Sequence, residues 1–253
     1  MRIKLTVEYD GLGFCGWQKQ DCQTSVQETI ELAISKVFNG IEKIELYGAG
    51  RTDSGVHATG QVAHFDITDS SLINLWNRNL SKLLVAINFY LIDKRISIIN
   101  IQVVPDDFHA RFSAKMRHYR YIIFNRAVRS VIHENRAWHV PRLLDESKMN
   151  EAAQQLIGTN DLSSFRSVSC GAKSPIKTIS RAIVQREGDF VVIDISAKSF
   201  LHNQVRITVG TLVKIGHGNE NVDYISLLLE ARDRTIAGVT APSHGLYLNW
   251  IDY

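Results

Sequence analysis

Apolar and polar residues alternate through the first stretch of the chain. Ile3, Leu5, Val7 and Tyr9 share one side and Arg2, Lys4, Thr6 and Glu8 the other, which predicts a half-buried strand. Asp10-Gly11 ends it, and a polar, turn-rich loop through Gly13, Gly16 and Trp17 runs to Gln23. Trp17, an aromatic among glycines, reads as a packing residue, with a place under a base as the alternative. The spacing then changes to that of a helix. Ser25 and Glu28 form a Ser-x-x-Glu box, Val26, Ile30, Ala33, Ile34, Val37 and Phe38 form one stripe, and Asn39-Gly40 is the stop. Strands are predicted over Ile41 to Tyr47 and Gln61 to Ile67, and a helix over Leu72 to Ile87 with Leu72, Leu75, Trp76, Leu80, Leu83 and Leu84 inward. Arg95 to Val104 reads as a strand closed by Pro105.

The second half repeats the mixture. Tyr119 to Phe124 predicts a strand, Glu146 to Ile157 a helix ended by Gly158, and Thr178 to Arg186 with Asp189 to Lys198 a hairpin about Glu187-Gly188. A helix over Phe200 to Gly216 buries Val205, Val209, Leu212 and Val213, and Arg206 falls one position off that stripe. A short helix, Tyr224 to Ala231, precedes a last strand, Gly245 to Tyr253, whose Leu246, Leu248 and Trp250 share a face. This is an α+β pattern. No low-complexity linker or short repeat divides the chain. Two successive sets of strands and helices still suggest two related lobes, 1–105 and 106–253.

Composition narrows the class. The 253 residues, 45% hydrophobic and 22% charged, suit a folded soluble protein. No apolar run approaches the roughly 18 residues a membrane span needs. Cys15, Cys22 and Cys170 are odd in number and lack Cys-x-x-Cys spacing, which argues against a disulfide framework or zinc ribbon and for a reducing cytoplasm. The net charge is only +3, but it is unevenly spread. Between His109 and Arg142 stand Arg111, Lys115, Arg117, Arg120, Arg126, Arg129, Arg136 and Arg142 against the single acid Glu134. They interleave with Phe112, Tyr119, Tyr121, Phe124 and Trp138, a combination that suits phosphates and bases together.

The densest chemistry lies in Gly48 to Phe65, where Gly48, Gly50, Gly55 and Gly60 surround Arg51 and Asp53. A tight loop with a local ion pair is the plainest reading of such a stretch. A phosphate loop fits less well, because Asp53 stands where a dinucleotide fingerprint wants a third glycine and no Gly-Lys-Ser/Thr follows. The loop is better suited to presenting a carboxylate. Asp106 and Asp107 are adjacent and on extended chain point to opposite sides, so they read as loop or capping residues. His57 and His64 lack an evident third ligand, so they read as packing or hydrogen-bonding residues, and no metal is expected.

The run Gly-Ala-Gly-Arg-Thr-Asp-Ser-Gly-Val-His-Ala, from Gly48, resembles the signature of the tRNA pseudouridine synthase A family, with Ser54 where its members usually carry Ala. The resemblance covers nearly the whole chain. It includes Glu8-Tyr-Asp-Gly, Gly16-Trp-Gln, Asp106-Asp-Phe-His-Ala-Arg-Phe-Ser-Ala, Tyr119-Arg-Tyr-Ile, Val205-Arg-Ile-Thr-Val-Gly and Gly245-Leu-Tyr-Leu, in the family's order.

The resemblance implies two related lobes sharing a continuous, mostly antiparallel central sheet flanked by helices, with an active-site cleft between them. It implies isomerisation of uridine to pseudouridine at positions 38, 39 and 40 of the tRNA anticodon stem-loop, by a homodimer and without a cofactor. Asp53 matches the catalytic aspartate, either a nucleophile towards the sugar or a base for the C2′ proton. Arg206 matches the guanidinium that keeps that carboxylate ionised and directed. Tyr119 matches the tyrosine that lies against the uracil, and Leu246 falls in the Gly-Leu-Tyr-Leu motif and would pack on the other side of the base, with an ordinary core position as its alternative. Arg51, Arg111 and Arg117 are expected on the RNA. Two other readings remain: an RNA-binding module without catalysis, for which Asp53 is incidental, and a nucleoside glycosidase, which would release free uracil.

Overall fold

The computed structural model describes residues 1–21 and 23–253, so Cys22 lies outside the described residues, while Cys15 and Cys170 carry free thiols. The chain forms two compact units, one of residues 1–115 with 248–253, the other of residues 116–247.

In the first unit the alternating stretch is strand β1 (Arg2–Tyr9), with Ile3, Leu5, Val7 and Tyr9 buried. The capped stripe is helix α1 (Val26–Val37), where Ser25 Oγ accepts from Glu28 N at 3.2 Å. Asn39 and Gly40 end it in the left-handed region, at φ of 50° and 69°. Then come β2 (Tyr47–Gly48), β3 (His57–Asp66), α2 (Ser70–Trp76), α3 (Leu80–Phe89) and β4 (Ile96–Val104). β1 pairs antiparallel with β3 on one side and β4 on the other, and β2 adds to the far edge of β3. Helix α1 packs on α3 and α3 on β4. Ile30, Ile34, Phe38, Phe65, Leu83 and Ile87 are fully buried, each aliphatic contributing roughly 1.5–3 kcal/mol.

Two expectations change here. The strand predicted over 41–47 is only Tyr47–Gly48. The backbone before it is satisfied by side chains of α1: Leu46 N donates to Glu31 Oε1 and Leu46 O accepts from Gln27 Nε2, both at 3.0 Å. The helix predicted over 72–87 is two helices, because Asn79 Nδ2 donates to Leu75 O and closes the first. Asp69 caps α2 by accepting from Ser71 N and Leu72 N, and Leu75, expected inward, is exposed.

The second unit holds β5 (Met116–Phe124), β6 (Trp138–His139), α4 (Glu146–Gln154), β7 (Gly158–Asp161), β8 (Ile176–Glu187), β9 (Phe190–Ala197), α5 (Gln204–Gly216) and α6 (Tyr224–Ala231). β9 lies between β5 and β8, and β7 borders β8. These ladders are antiparallel, and the short pairing of β6 with β5 is parallel. The hairpin turns at Glu187-Gly188 as its sequence predicts. Helix α5 begins at Gln204, four residues later than predicted, behind Asn203 at φ 61°. It is buried on nearly every side, Thr208 and Thr211 included. The last strand, β10 (Leu246–Asp252), starts in this unit and from Leu248 belongs to the first.

Residues 106–115, grouped by sequence with the second lobe, pack within the first unit. Ala110 N donates to His64 Nδ1, Ala110 O accepts from Tyr253 Oη at 2.7 Å, and Lys115 N donates to Asp252 O. Arg2 adds a bidentate pair with Asp66 and donates to the carbonyls of Asp106 and Phe108.

Candidate active site

Asp53 sits in the first unit, on the loop between β2 and β3, with its side chain partly buried. Backbone contacts at both ends and in the middle hold that loop. Ala49 N donates to Val62 O at 2.8 Å, and Gln61 Nε2 donates to Gly50 O at 2.9 Å. Thr52 O accepts from Trp17 N at 3.1 Å, while Thr52 Oγ1 lies 2.8 Å from the Tyr9 hydroxyl. Val56 N donates to Asp53 O across a turn in which Gly55 takes φ 76°. Ser54 Oγ donates to Phe14 O at 3.0 Å, so the serine in the family's usual alanine position gains a bond of its own.

The loop of residues 11–17 therefore forms one wall of the aspartate loop. A Cβ on Gly16 would stand 2.5 Å from Thr52 O and 3.2 Å from the Asp53 carbonyl carbon, and Gly16 itself has φ 116°. Trp17 is 2% exposed and packs on Tyr9 at 6.0 Å between ring centroids, the packing role its setting predicts. Arg51, next to the buried Thr52, is exposed and donates from Nε to Gln18 Oε1 at 3.2 Å.

Arg206, Tyr119, Arg117 and Leu246 belong to the second unit, and Arg111 to the first. Arg206 lies in the first turn of α5. Its Nε donates to Ala241 O at 2.7 Å and its Nη1 to Asn203 Oδ1 at 2.9 Å, while Ala241 N returns a bond to Arg206 O. The guanidinium is aimed by these acceptors. Tyr121, buried below it, donates to Pro242 O at 2.8 Å. Burial raises the Tyr121 phenol well above the ordinary tyrosine value, and the Arg206 charge pulls it the other way.

Tyr119 is half-buried on β5, opposite Ile195. Its ring meets Phe200 edge-on at 5.1 Å, so the segment 200–206 supports the tyrosine at one end and carries Arg206 at the other. Arg117 Nη1 donates to Lys198 O. Leu246 is 5% exposed. Sequence reading missed Gly16, Thr52, Asn203 and Phe200 as supports. Gly16 in Gly-Trp-Gln was a visible signal, whereas nothing local marks Asn203 as left-handed.

His57 and His64 are both 2% exposed and act as acceptors, His57 Nδ1 from Gly11 N and His64 Nδ1 from Ala110 N. Among the described residues no group of three His, Cys, Asp or Glu side chains converges as a metal site, and no helix is long and apolar enough to cross a membrane.

An Arg-rich α+β protein whose glycine-bound loop presents a carboxylate has the makings of an RNA-modifying enzyme. A family model described as tRNA pseudouridine synthase matches residues 5–113 and 152–253. A tRNA pseudouridine synthase A of Pseudoalteromonas atlantica is 49% identical over 253 residues, all of this chain and 92% of that protein. Proteins of the same name from Brucella anthropi and Brucella ovis are 47% and 48% identical, over all of this chain and 98% of theirs. The chain belongs to the tRNA pseudouridine synthase family. Membership makes it an isomerase that acts on tRNA.

Proposed function

We propose that this protein converts uridine to pseudouridine at positions 38, 39 and 40 of the tRNA anticodon stem-loop, with Asp53 as the catalytic carboxylate. The reaction breaks the bond between ribose C1′ and uracil N1, turns the held base and joins C1′ to C5. Every atom is kept except the C5 proton, which moves to N1 by way of solvent or a base, so no redox partner or metal is required. Asp53 acts on the sugar, as nucleophile at C1′ or as base for the C2′ proton. Arg206 supplies the guanidinium of the reaction. Tyr119 lies flat against the uracil, where stacking resists escape but permits rotation in the plane, and takes part in removing the C5 proton. Leu246 closes the opposite face of the base.

A uridine within or beside a stem must leave the stack before C1′ is reachable. Arg51 supports that extrusion, and Arg111 and Arg117 hold backbone phosphates, so affinity falls as salt rises. The enzyme works as a cytoplasmic homodimer. Light scattering that returned a single-subunit mass would remove that part of the reading.

The observation that carries the proposal is the clamped loop of residues 49–56, which fixes the main chain around Asp53 while leaving its side chain partly accessible. Asp53→Asn is the test, since it keeps the size and one acceptor oxygen and removes the charge. Pseudouridine formation should fall by several orders of magnitude with tRNA affinity within about threefold of the parent. Undiminished activity would refute Asp53 as the catalytic carboxylate, a parent that binds tRNA without forming pseudouridine would be an RNA-binding module, and release of free uracil by the parent would make the protein a glycosidase.

A further inference from the structure

Four rings of the first unit stand in a row that runs from its interior to the surface. Tyr47 stacks on His64 with centroids 5.2 Å apart and planes 24° apart. His64 meets His109 edge-on at 4.7 Å, and His109 lies against Phe112 at 4.4 Å with the planes 39° apart. The row begins in the residue that leads into the aspartate loop, since Tyr47 and Gly48 pair with His64 and Ala63. It ends in solvent, where Phe112 is 75% exposed.

The turn that carries Phe112 is held by its own polar groups. His109 Nδ1 accepts from Arg111 N at 3.1 Å and from Phe112 N at 3.4 Å. His109 N donates to Ser113 Oγ, and Ser113 N returns a bond to His109 O, both at 2.9 Å. Burial and the nearby Arg2 and Arg111 lower the His109 pKa, in keeping with a ring that accepts at Nδ1. The Arg111 guanidinium lies 5.6 Å from the Phe112 ring centre. The only acid hydrogen-bonded to the row, among the bonds described, is Glu45, which accepts from Tyr47 Oη at the opposite end.

A lone exposed phenylalanine is ordinary. One fixed on a rigid turn, backed by a second ring and flanked by a guanidinium, has the parts of a nucleobase platform: a flat π-face with little conformational entropy left to lose, and a cation for the adjoining phosphate. We propose that Phe112 stacks an unpaired base of the tRNA other than the uridine being isomerised, with Arg111 on the neighbouring phosphate. This rests on the assignment of tRNA as substrate and adds a second point of contact to it.

The test uses the full chain and unmodified tRNA. Phe112→Ala should raise Kd by roughly ten- to a hundredfold, the range that base stacking supplies, with the salt dependence of binding unchanged. Arg111→Ala should reduce the slope of log affinity against log salt by about one. Phe112→Trp should keep parental affinity, and the emission it adds to that of the four native tryptophans should be quenched by tRNA. Phe112→Ala with parental affinity, or Phe112→Trp with emission indifferent to saturating tRNA, overturns the platform. A change in the mass of the free protein on Phe112→Ala overturns it in favour of a contact between copies of the chain. Parent enzyme that fails to bind tRNA refutes the functional assignment itself, whereas an active parent with indifferent Phe112 variants refutes only the platform.

Discussion

Main-chain contacts fix the loop that carries Asp53. Thr52 O, Asp53 O and Gly50 O each accept a bond, and the wall opposite is the chain around Gly16. Gly16→Ala should therefore act on catalysis from a position that offers the substrate no functional group. The new methyl meets Thr52 O at 2.5 Å and the residue must keep φ 116°, which together cost about 1–3 kcal/mol or more. The expected outcome is a kcat reduced at least tenfold with a lowered Tm, followed by pseudouridine assay and thermal melting. Parental kcat would mean that the loop does not depend on this wall. The glycines around Asp53 were legible as a sign of constrained backbone. Which segment presses on them was not, because residues 11–17 and 50–56 are neighbours only in space.

At the scale of elements, the sequence succeeds where burial follows the element's own period. Helix α1 has its cap, stripe and stop where Ser25, Ile30, Ile34 and Asn39-Gly40 put them. Ser25→Ala removes the acceptor for Glu28 N and should cost about 1 kcal/mol, read from the urea midpoint at unchanged m-value. No loss would mean that another group takes the bond. The sequence fails where a side chain replaces a ladder or interrupts a helix. Residues 41–46 have a strand-like composition, yet Leu46 bonds to Gln27 and Glu31 of α1, and Asn79 divides one apolar stripe into two helices. Helix α5 shows a one-sided stripe in its sequence and is buried almost all round, with Thr211 bonded to Ile207 O and to Gly238 N. Threonines that satisfy themselves in this way can be buried at little cost.

At the scale of the molecule, titration of the interior couples to stability. His64 is buried as an acceptor, and burial, with the charge of His109 and Arg2 behind it, lowers its pKa from 6.5 to about 4. The folded state thus binds its proton less readily than the unfolded chain. The contribution of His64 is complete above pH 6.5, is lost as pH falls from there towards about 4, and changes no further below. His109 shifts in the same direction. His64→Asn keeps an acceptor for Ala110 N without a titrating ring, so urea midpoints between pH 7 and 4.5 should fall less steeply than in the parent. An unchanged slope would assign the acid sensitivity to other groups.

The sequence by itself determined the α+β class, most of the strands and helices, the concentration of cations between His109 and Arg142, and, through motifs in a fixed order, the family. These are properties of local spacing: a strand that buries one face must alternate, a helix must repeat every three or four residues, and a motif is contiguous. Only the tertiary structure decided that Gly16 backs the aspartate loop, that Asn203 and Ala241 aim Arg206, that residues 106–115 pack with the first unit, and that four rings from three separate segments form a row ending at Phe112. Each of those depends on which remote segments come within hydrogen-bond or van der Waals distance, and no periodicity along the chain carries that information.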